Sequence, residues 1–311
     1  MEIRKASDKD VLQIGELFQH CFSKELSQEL WYWKYRNAPW GAVSYVAIDN
    51  GKLISHYGAV RYIFLKSGYP LTSYQFCDVM THSAYRGKVF GKSPPVVRAG
   101  QMLYTDNYMD FAFGFPSKRH ARLQALMFKG SSYKETITLK KNLSKLNNTP
   151  LLSINEGWHT LKPSEIDMLW NKSKTSYSLT INKEKAYLLW RYKEIPQRAY
   201  SAISIRNTFT GTLKALAFMS YKEKEANLLD IIVINKKLYQ HCLDLIEDYL
   251  FKKEFLFLNI WLNSATKYIV TSDYKENDGI PFAFRPVNEK LLNAEEFFSL
   301  YDFRMGDYDD V

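Results

Sequence analysis

Two short stretches constrain this chain more than anything else in it. Trp33, Lys34, Tyr35, Arg36 and Pro39 spell W-K-Y-R-x-x-P, and Trp190, Arg191, Tyr192, Lys193 and Pro196 spell W-R-Y-K-x-x-P, 157 positions later. That interval is close to half of the 311 residues. Further on, Tyr45-x-Ala47-Ile48 is echoed by Tyr200-x-Ala202-Ile203, and a glycine-led strand start at Gly51 by another at Gly211. Agreement in order, spacing and expected local structure is the mark of a duplicated unit. The chain is therefore read as two halves of one α/β (α+β) fold, residues 1–140 and 154–311. The polar, Lys- and Asn-rich run TLKKNLSKLNNTPLLS, residues 138–153, is read as the linker.

Within the first half, Ser7 stands three residues before Asp10 and ahead of VLQIGELFQHCF, which predicts a capped amphipathic helix near 8–22. A second helix is expected over SQELWYWKY. SYVAID and KLISHYGAVRYIFL, joined by Asp-Asn-Gly, read as a β-hairpin. A strand over 71–82, a helix over 93–104, a strand over 109–115 and a helix over 117–128 complete the unit. A helix between two strands makes a crossover, so the last two strands should run parallel, in a mixed sheet flanked by helices. The second half supplies LLDIIVI, a helix over KKLYQHCLDLIEDYLFKK, and the strand EFLFLNIWL.

Composition narrows the partners. Forty-two Lys plus Arg against 33 Asp plus Glu leave a net charge of +9 and a pI of about 9.1, which favours an acidic partner: a phosphorylated cofactor, an acidic carrier protein, an anionic surface or nucleic acid. The basic residues are dispersed and no recognition helix or stacking motif stands out, so nucleic acid is not expected. Cys21, Cys77 and Cys242 are far apart, with no metal-ligand spacing, and are read as free thiols with no metal site. The charged N-terminus and the lack of any apolar run of about 18 residues predict a cytoplasmic protein without a membrane span.

The strand over 71–82 ends in YRGKVFGK, residues 85–92. A helix beginning just after a strand offers unpaired N–H groups and the positive end of its dipole to an anion. Gly87 and Gly91 would let the backbone approach a phosphate, with Arg86, Lys88 and Lys92 as countercharge. Only three residues separate the glycines, which excludes G-x-x-x-x-G-K-[ST], and G-x-G-x-x-G is absent too. In the second half the matching turn holds Asn235, Lys236 and Lys237 with no glycine.

Strand, Y-R-G-K-x-x-G, helix, FAFGFPS and a further helix together resemble the core of a GNAT-type acyl-CoA N-acyltransferase, whose signature is [QR]-x-x-G-x-[GA]. Arg86 matches the first position and Gly91 the last, while Val89 replaces the middle glycine. The resemblance spans about residues 3–130, and the half-degenerate second copy resembles tandem-GNAT enzymes. It implies an acyl-CoA cofactor, acetyl-CoA above all, whose pyrophosphate lies on the backbone from Gly87 through Lys88, Val89, Phe90 and Gly91 to Lys92. Its pantetheine arm would pair with the backbone of Met80 and Thr81. It implies direct attack by a primary amine of a small molecule, such as an amino sugar or amino acid, with the second half shaping the acceptor pocket.

Such a reaction needs a base for the acceptor ammonium and an acid for the departing thiolate. Asp78, a carboxylate in a mostly apolar strand, is the first candidate base and His82 the second. The helix after FPS holds no tyrosine to serve as acid, leaving His120 or water. Trp31, Trp33 and Tyr35 are expected in the core, and the closing MGDYDD as a turn with a solvated acidic tail. Two other readings stay open: a non-catalytic acyl-CoA-binding GNAT module, for which Val89 speaks, and a FemABX-like aminoacyl transferase, against which the lack of a long helical hairpin speaks.

Overall fold

A computed structural model describes residues 1–88, 93–118, 121, 132–145, 151–262 and 273–308. The expected α1 follows a 3₁₀ turn and spans Val11–Phe22, with the Ser7 N–H donating to Asp10 Oδ2 at 2.7 Å; α2 is Gln28–Tyr35. Ahead of them lies an edge strand that the charged N-terminus concealed, β1 (Glu2–Lys5). The hairpin is β2 (Ala42–Asp49) and β3 (Lys52–Lys66), turned by Asn50 and Gly51, both at positive φ. Then come β4 (Tyr69–Thr81), α3 (Pro95–Asp106) and β5 (Phe111–Gly114), and β4 and β5 are parallel as the crossover requires.

Continuing, β6 (Ser132–Asn142), β7 (Leu152–Glu156), α4 (Pro163–Ser173), β8 (Leu179–Ile181) and α5 (Lys185–Tyr192) lead to β9 (Ser201–Asn207), β10 (Leu213–Lys222) and β11 (Glu225–Val233). The chain closes with α6 (Tyr239–Lys252), β12 (Phe257–Leu262), β13 (Lys275–Pro286), α7 (Ala294–Leu300) and a 3₁₀ turn at Met305–Asp307. The helix expected over 117–128 falls mostly outside the described residues.

The strands form one continuous sheet, in the order β1-β2-β3-β4-β5-β13-β6-β12-β11-β10-β9-β7, with β8 added beside β3. Either end repeats one pattern: an antiparallel series closed by a parallel pair, β4 with β5 and β11 with β12. At the centre the pattern crosses over. β6, from the first part of the chain, pairs with β12, while β13, from the last part, pairs with β5. The linker expected over 138–153 is thus corrected: residues 138–142 complete a central strand and Leu152–Ser153 open β7. Its polar composition misleads because Lys141 is buried and ion-paired, its Nζ 2.7 Å from Glu247 Oε2, while Lys140 pairs with Glu225 at 2.5 Å.

Side-chain alternation sorts the core by sheet face. Tyr57 and Ala59 of β3 pack with α3, and Ala215 and Ala217 of β10 with α6. The other face carries one cluster common to both ends of the sheet, containing α1, α2, α4, α5 and α7. At its centre the repeated tryptophans meet. Trp33 and Trp190 stack with centroids 4.5 Å apart, and each indole N–H donates to the other's carbonyl, at 2.8 and 2.9 Å. The W-x-Y motif is core material, as expected: Trp31, Trp33 and Tyr35 are all buried.

Candidate active site

Pairing between β4 and β5 ends at Phe76 and Gly114, although β4 continues to Thr81. Beyond that pair, no described strand lies against β4 on its β5 side. A cavity of about 330 Å³ opens there. Its walls come from α1 (Phe18, Phe22), α2 (Trp33, Lys34), β4 (Cys77, Asp78) and the Phe115–Ser117 turn, and Ile195, Arg198 and Tyr308 close it from the far part of the chain.

Asp78 is the only carboxylate among the described lining residues. It sits in a bulge of β4, where Gly58 pairs with Cys77 and His56 with Met80, so that Asp78 and Val79 together face one residue of β3. Its φ of 51° is left-handed, a conformation that costs a non-glycine residue on the order of 1–2 kcal/mol and so needs support from its surroundings. Support comes from three sides. Lys34 Nζ donates to both carboxylate oxygens, at 3.1 and 3.2 Å, Tyr35 donates to Oδ2 at 2.7 Å, and His56 Nδ1 donates to the Asp78 carbonyl at 2.7 Å.

Burial works to raise the pKa of Asp78, but Lys34, His56 and Tyr35 outweigh it and leave the carboxyl below its ordinary range. Burial, the chief cause, lowers the pKa of His56 as well, which favours the neutral ring, and burial with the Asp78 charge holds the Tyr35 phenol firmly protonated. The result is an ionised carboxylate with its cation, facing a largely apolar cavity.

His82, the second candidate base, is not brought to this cavity. Its ring stacks on His20, centroids 4.1 Å apart, its Nε2 lies 3.5 Å from Lys52 Nζ, and it caps the 3₁₀ turn Ser83–Tyr85 by accepting from the Ala84 N–H. Slight burial, with Lys52, His20 and Arg86 nearby, lowers its pKa. Met80 and Thr81 end β4, and their carbonyls accept from Ser55 Oγ at 2.9 Å and from Arg86 Nε at 3.1 Å. Gly87 has φ 80° with open space around its Cα, so its backbone angle rather than crowding asks for glycine. Arg86 and Lys88 are exposed, with Lys88 Nζ 5.0 Å from the Tyr85 ring centroid. Val89, Phe90, Gly91, Lys92 and His120 lie outside the described residues.

The expected turn is present but not solvated, and Asp309 and Asp310 of the expected acidic tail lie outside the described residues. Met305, Gly306 and Asp307 are buried, because the 3₁₀ turn plugs the space beside β11 instead of entering solvent. Arg191 Nε donates to the Gly306 carbonyl at 2.8 Å and Gln75 Nε2 to the Asp307 carbonyl at 2.8 Å. A Cβ on Gly306 would fall 2.1 Å from the Tyr192 hydroxyl, so glycine alone fits. This plug covers a counterpart of the first site: Asp230, beside a bulge of β11, accepts from Tyr192 and pairs with Lys183 at 2.6 Å, both fully buried.

Sequence reasoning missed Lys34, Arg198 and Tyr308. For Lys34 a signal existed, since a cation recurs at that place in both W-[KR]-Y motifs. Tyr308 had none: only the fold carries residue 308 to residue 78.

Residues 2–120 match the family model described as acetyltransferase (GNAT) domain. No curated protein matches the chain. Among solved structures it is similar to a conserved protein of unknown function from Enterococcus faecalis titled a probable N-acyltransferase, with TM-score 0.70 and 10% identity over 92% of this chain and 73% of that one. A GCN5-related N-acetyltransferase from Anabaena variabilis gives TM-score 0.68 and 10% identity over 93% and 73%. Saccharomyces cerevisiae N-myristoyltransferase with bound myristoyl-CoA gives 0.58 and 10% over 92% and 78%. Over nine-tenths of its length the chain shares the fold of these solved structures, and within that fold residues 2–120 match the acetyltransferase (GNAT) domain model.

Proposed function

We propose that the chain is an acetyl-CoA-dependent N-acetyltransferase acting on a primary amine of a small molecule. The observation that carries this is the opening of β4 from β5 at Phe76 and Gly114, with a cavity at the opening that holds one ionised carboxylate. The donor fits the residues there. The β4 edge from Cys77 to Thr81 can take the extended arm, and Arg86, the left-handed Gly87 and Lys88, with the run Val89 to Lys92 that follows them, can take the pyrophosphate. Bound there, acyl-CoA supplies an activated thioester.

The chain's own residues do the rest. The Asp78 carboxylate, the one anion of a described lining that also holds Lys24, Lys34 and Arg198, meets the acceptor ammonium and accepts its proton. Lys34 and Tyr35 hold both carboxylate oxygens in place. Because the pKa of Asp78 is low, that proton passes on to water instead of staying on the carboxyl. Ser117 and Tyr308 are the hydroxyl-bearing side chains of the lining, and Tyr308 is the candidate acid. A cavity of about 330 Å³ must hold both acyl group and amine, which favours a short acyl chain.

The same reading makes residues 1–140 the donor-binding half and 154–311 a degenerate second copy. Supporting it are the mirrored strand order, the paired tryptophans, the sealed Asp230 and the contribution of Ile195, Arg198 and Tyr308 to the cavity. The test is transfer from acetyl-CoA to a panel of amino sugars, amino acids and polyamines, with product mass and thiol release as readouts. Asp78→Asn should lower kcat at least 100-fold with acetyl-CoA binding within threefold of wild type, the scale of general base loss. Release of thiol no faster with any amine than without would overturn the reading.

A further inference from the structure

A second cavity, of about 440 Å³, lies on the same sheet face and shares Tyr308 with the first. Its lining is of a different kind. Asn227, Asn259, Asn277 and Thr138 stand around Trp261, and no described lining side chain is charged. The strand register places them: Asn227 is opposite Asn259, and Thr138 is opposite both Trp261 and Asn277. The Trp261 ring lies 5.6 Å from that of Tyr308, centroid to centroid, so the wall between the cavities is aromatic on both sides.

The amides are preorganised. Asn259 donates through Nδ2 to Glu225 Oε2 and to Asn227 Oδ1, both at 3.0 Å, and Asn227 donates to Ser220 Oγ at 3.1 Å. Their orientation is therefore fixed by the network, with the Asn259 carbonyl left as an acceptor. Glu225 is itself paired with Lys140 and offers no counter-ion to a ligand.

An amino-acid carboxylate or a phosphate would find no partner charge in such a lining, and an aliphatic chain would leave the Asn259 carbonyl and the Asn277 amide without a ligand partner. A ring with apolar faces and hydroxyls around its rim satisfies both parts of it. The apolar face lies on the indole, and the hydroxyls, each both donor and acceptor, meet the amides and Thr138. We propose that this cavity seats a neutral sugar ring. In an acceptor, that ring would place its amine across Tyr308 toward Asp78. The seat itself does not depend on the transferase reading, but the direction of the amine does.

Saturation-transfer NMR of the full chain with glucosamine, galactosamine, N-acetylglucosamine and glucose tests the seat without relying on turnover. At least one should receive saturation from the protein, and Trp261→Ala should weaken its binding at least tenfold while Trp261→Phe retains most of it. Asn277→Ala, at an exposed position, should weaken binding several-fold and guards against misfolding of the tryptophan variant. No transfer to any of the four, or binding indifferent to Trp261→Ala, overturns the seat. Sugar binding that follows these variants without amine-dependent turnover upholds the seat and removes the transferase reading. Turnover of non-sugar amines unchanged by Trp261→Ala, with no sugar bound, does the reverse.

Discussion

At the scale of single residues, the account rests on Asp78 and its two α2 partners. Lys34 and Asp78 are both buried, so removing one leaves a charge without water or partner. Lys34→Met should cost about 3–5 kcal/mol in chemical denaturation, and Lys34→Met with Asp78→Leu should recover much of that loss. If the single variant unfolds at the wild-type denaturant midpoint, the pair is not as drawn. The low pKa of Asp78 also sets the pH profile. A carboxyl below its ordinary range is already ionised above about pH 4, so it adds no rise in rate between pH 5 and 7. The kcat/KM profile should climb only with deprotonation of the acceptor amine, and Lys34→Met should shift an acid limb upward. A wild-type limb near pH 6 would contradict this.

At the scale of elements, α2 and α5 meet back to back through Trp33 and Trp190. Trp33→Ala and Trp190→Ala should each cost about 3–5 kcal/mol, as large buried truncations do. Because the rings stack on one another and exchange hydrogen bonds, the double variant should cost less than the sum by about 0.5–3 kcal/mol. Strict additivity would mean that the two contacts are independent. These helices were legible in the sequence, since a repeated W-[KR]-Y-[RK]-x-x-P needs a reason and a shared core position is the simplest one. The hairpin, the β4 strand and the crossover were legible too, from turn residues and period. The exchange of β6 and β13 was not. Thr138-Leu139-Lys140-Lys141-Asn142 looks like a linker until Glu247 and Glu225, about a hundred residues away, are seen to neutralise its lysines. The site divided in the same way: Asp78 stood out as a carboxylate in an apolar strand and Lys34 was marked by the cation repeated in both W-[KR]-Y motifs, whereas Tyr308 joins the cavity only through folding.

For the whole molecule, the C-terminal turn ties the two ends of the sheet together. Asp307 is fully enclosed; burial and nearby Asp230 raise its pKa to about 6 against the pull of Lys183 and the hydrogen bonds from Arg304 and Tyr301. An acid that holds its proton more tightly when folded contributes stability at low pH and loses it as pH rises from about 4 to about 6. Asp307→Asn stays neutral, so its Tm relative to wild type should rise across that window by the equivalent of on the order of 2 kcal/mol. A constant offset from pH 4.5 to 7 would remove the titrating role. Asp10 and Glu165, held at about 2 chiefly by hydrogen bonds from Arg4 and Arg206, and Glu156, where burial is outweighed by hydrogen bonds from Lys253, Ser201, Tyr221 and Tyr249, act oppositely and lose their contribution below about pH 4 in both proteins. The wild-type to variant difference therefore isolates Asp307.

The central claim is that the opened edge of β4 and the turn that follows it hold an acyl-CoA. Calorimetric titration of acetyl-CoA into the purified protein tests it most directly. One molecule should bind per chain, coenzyme A should compete, and Arg86→Ala should weaken binding at least tenfold while Trp261→Ala leaves it unchanged. No binding to the wild type or to Val89→Gly would contradict the claim.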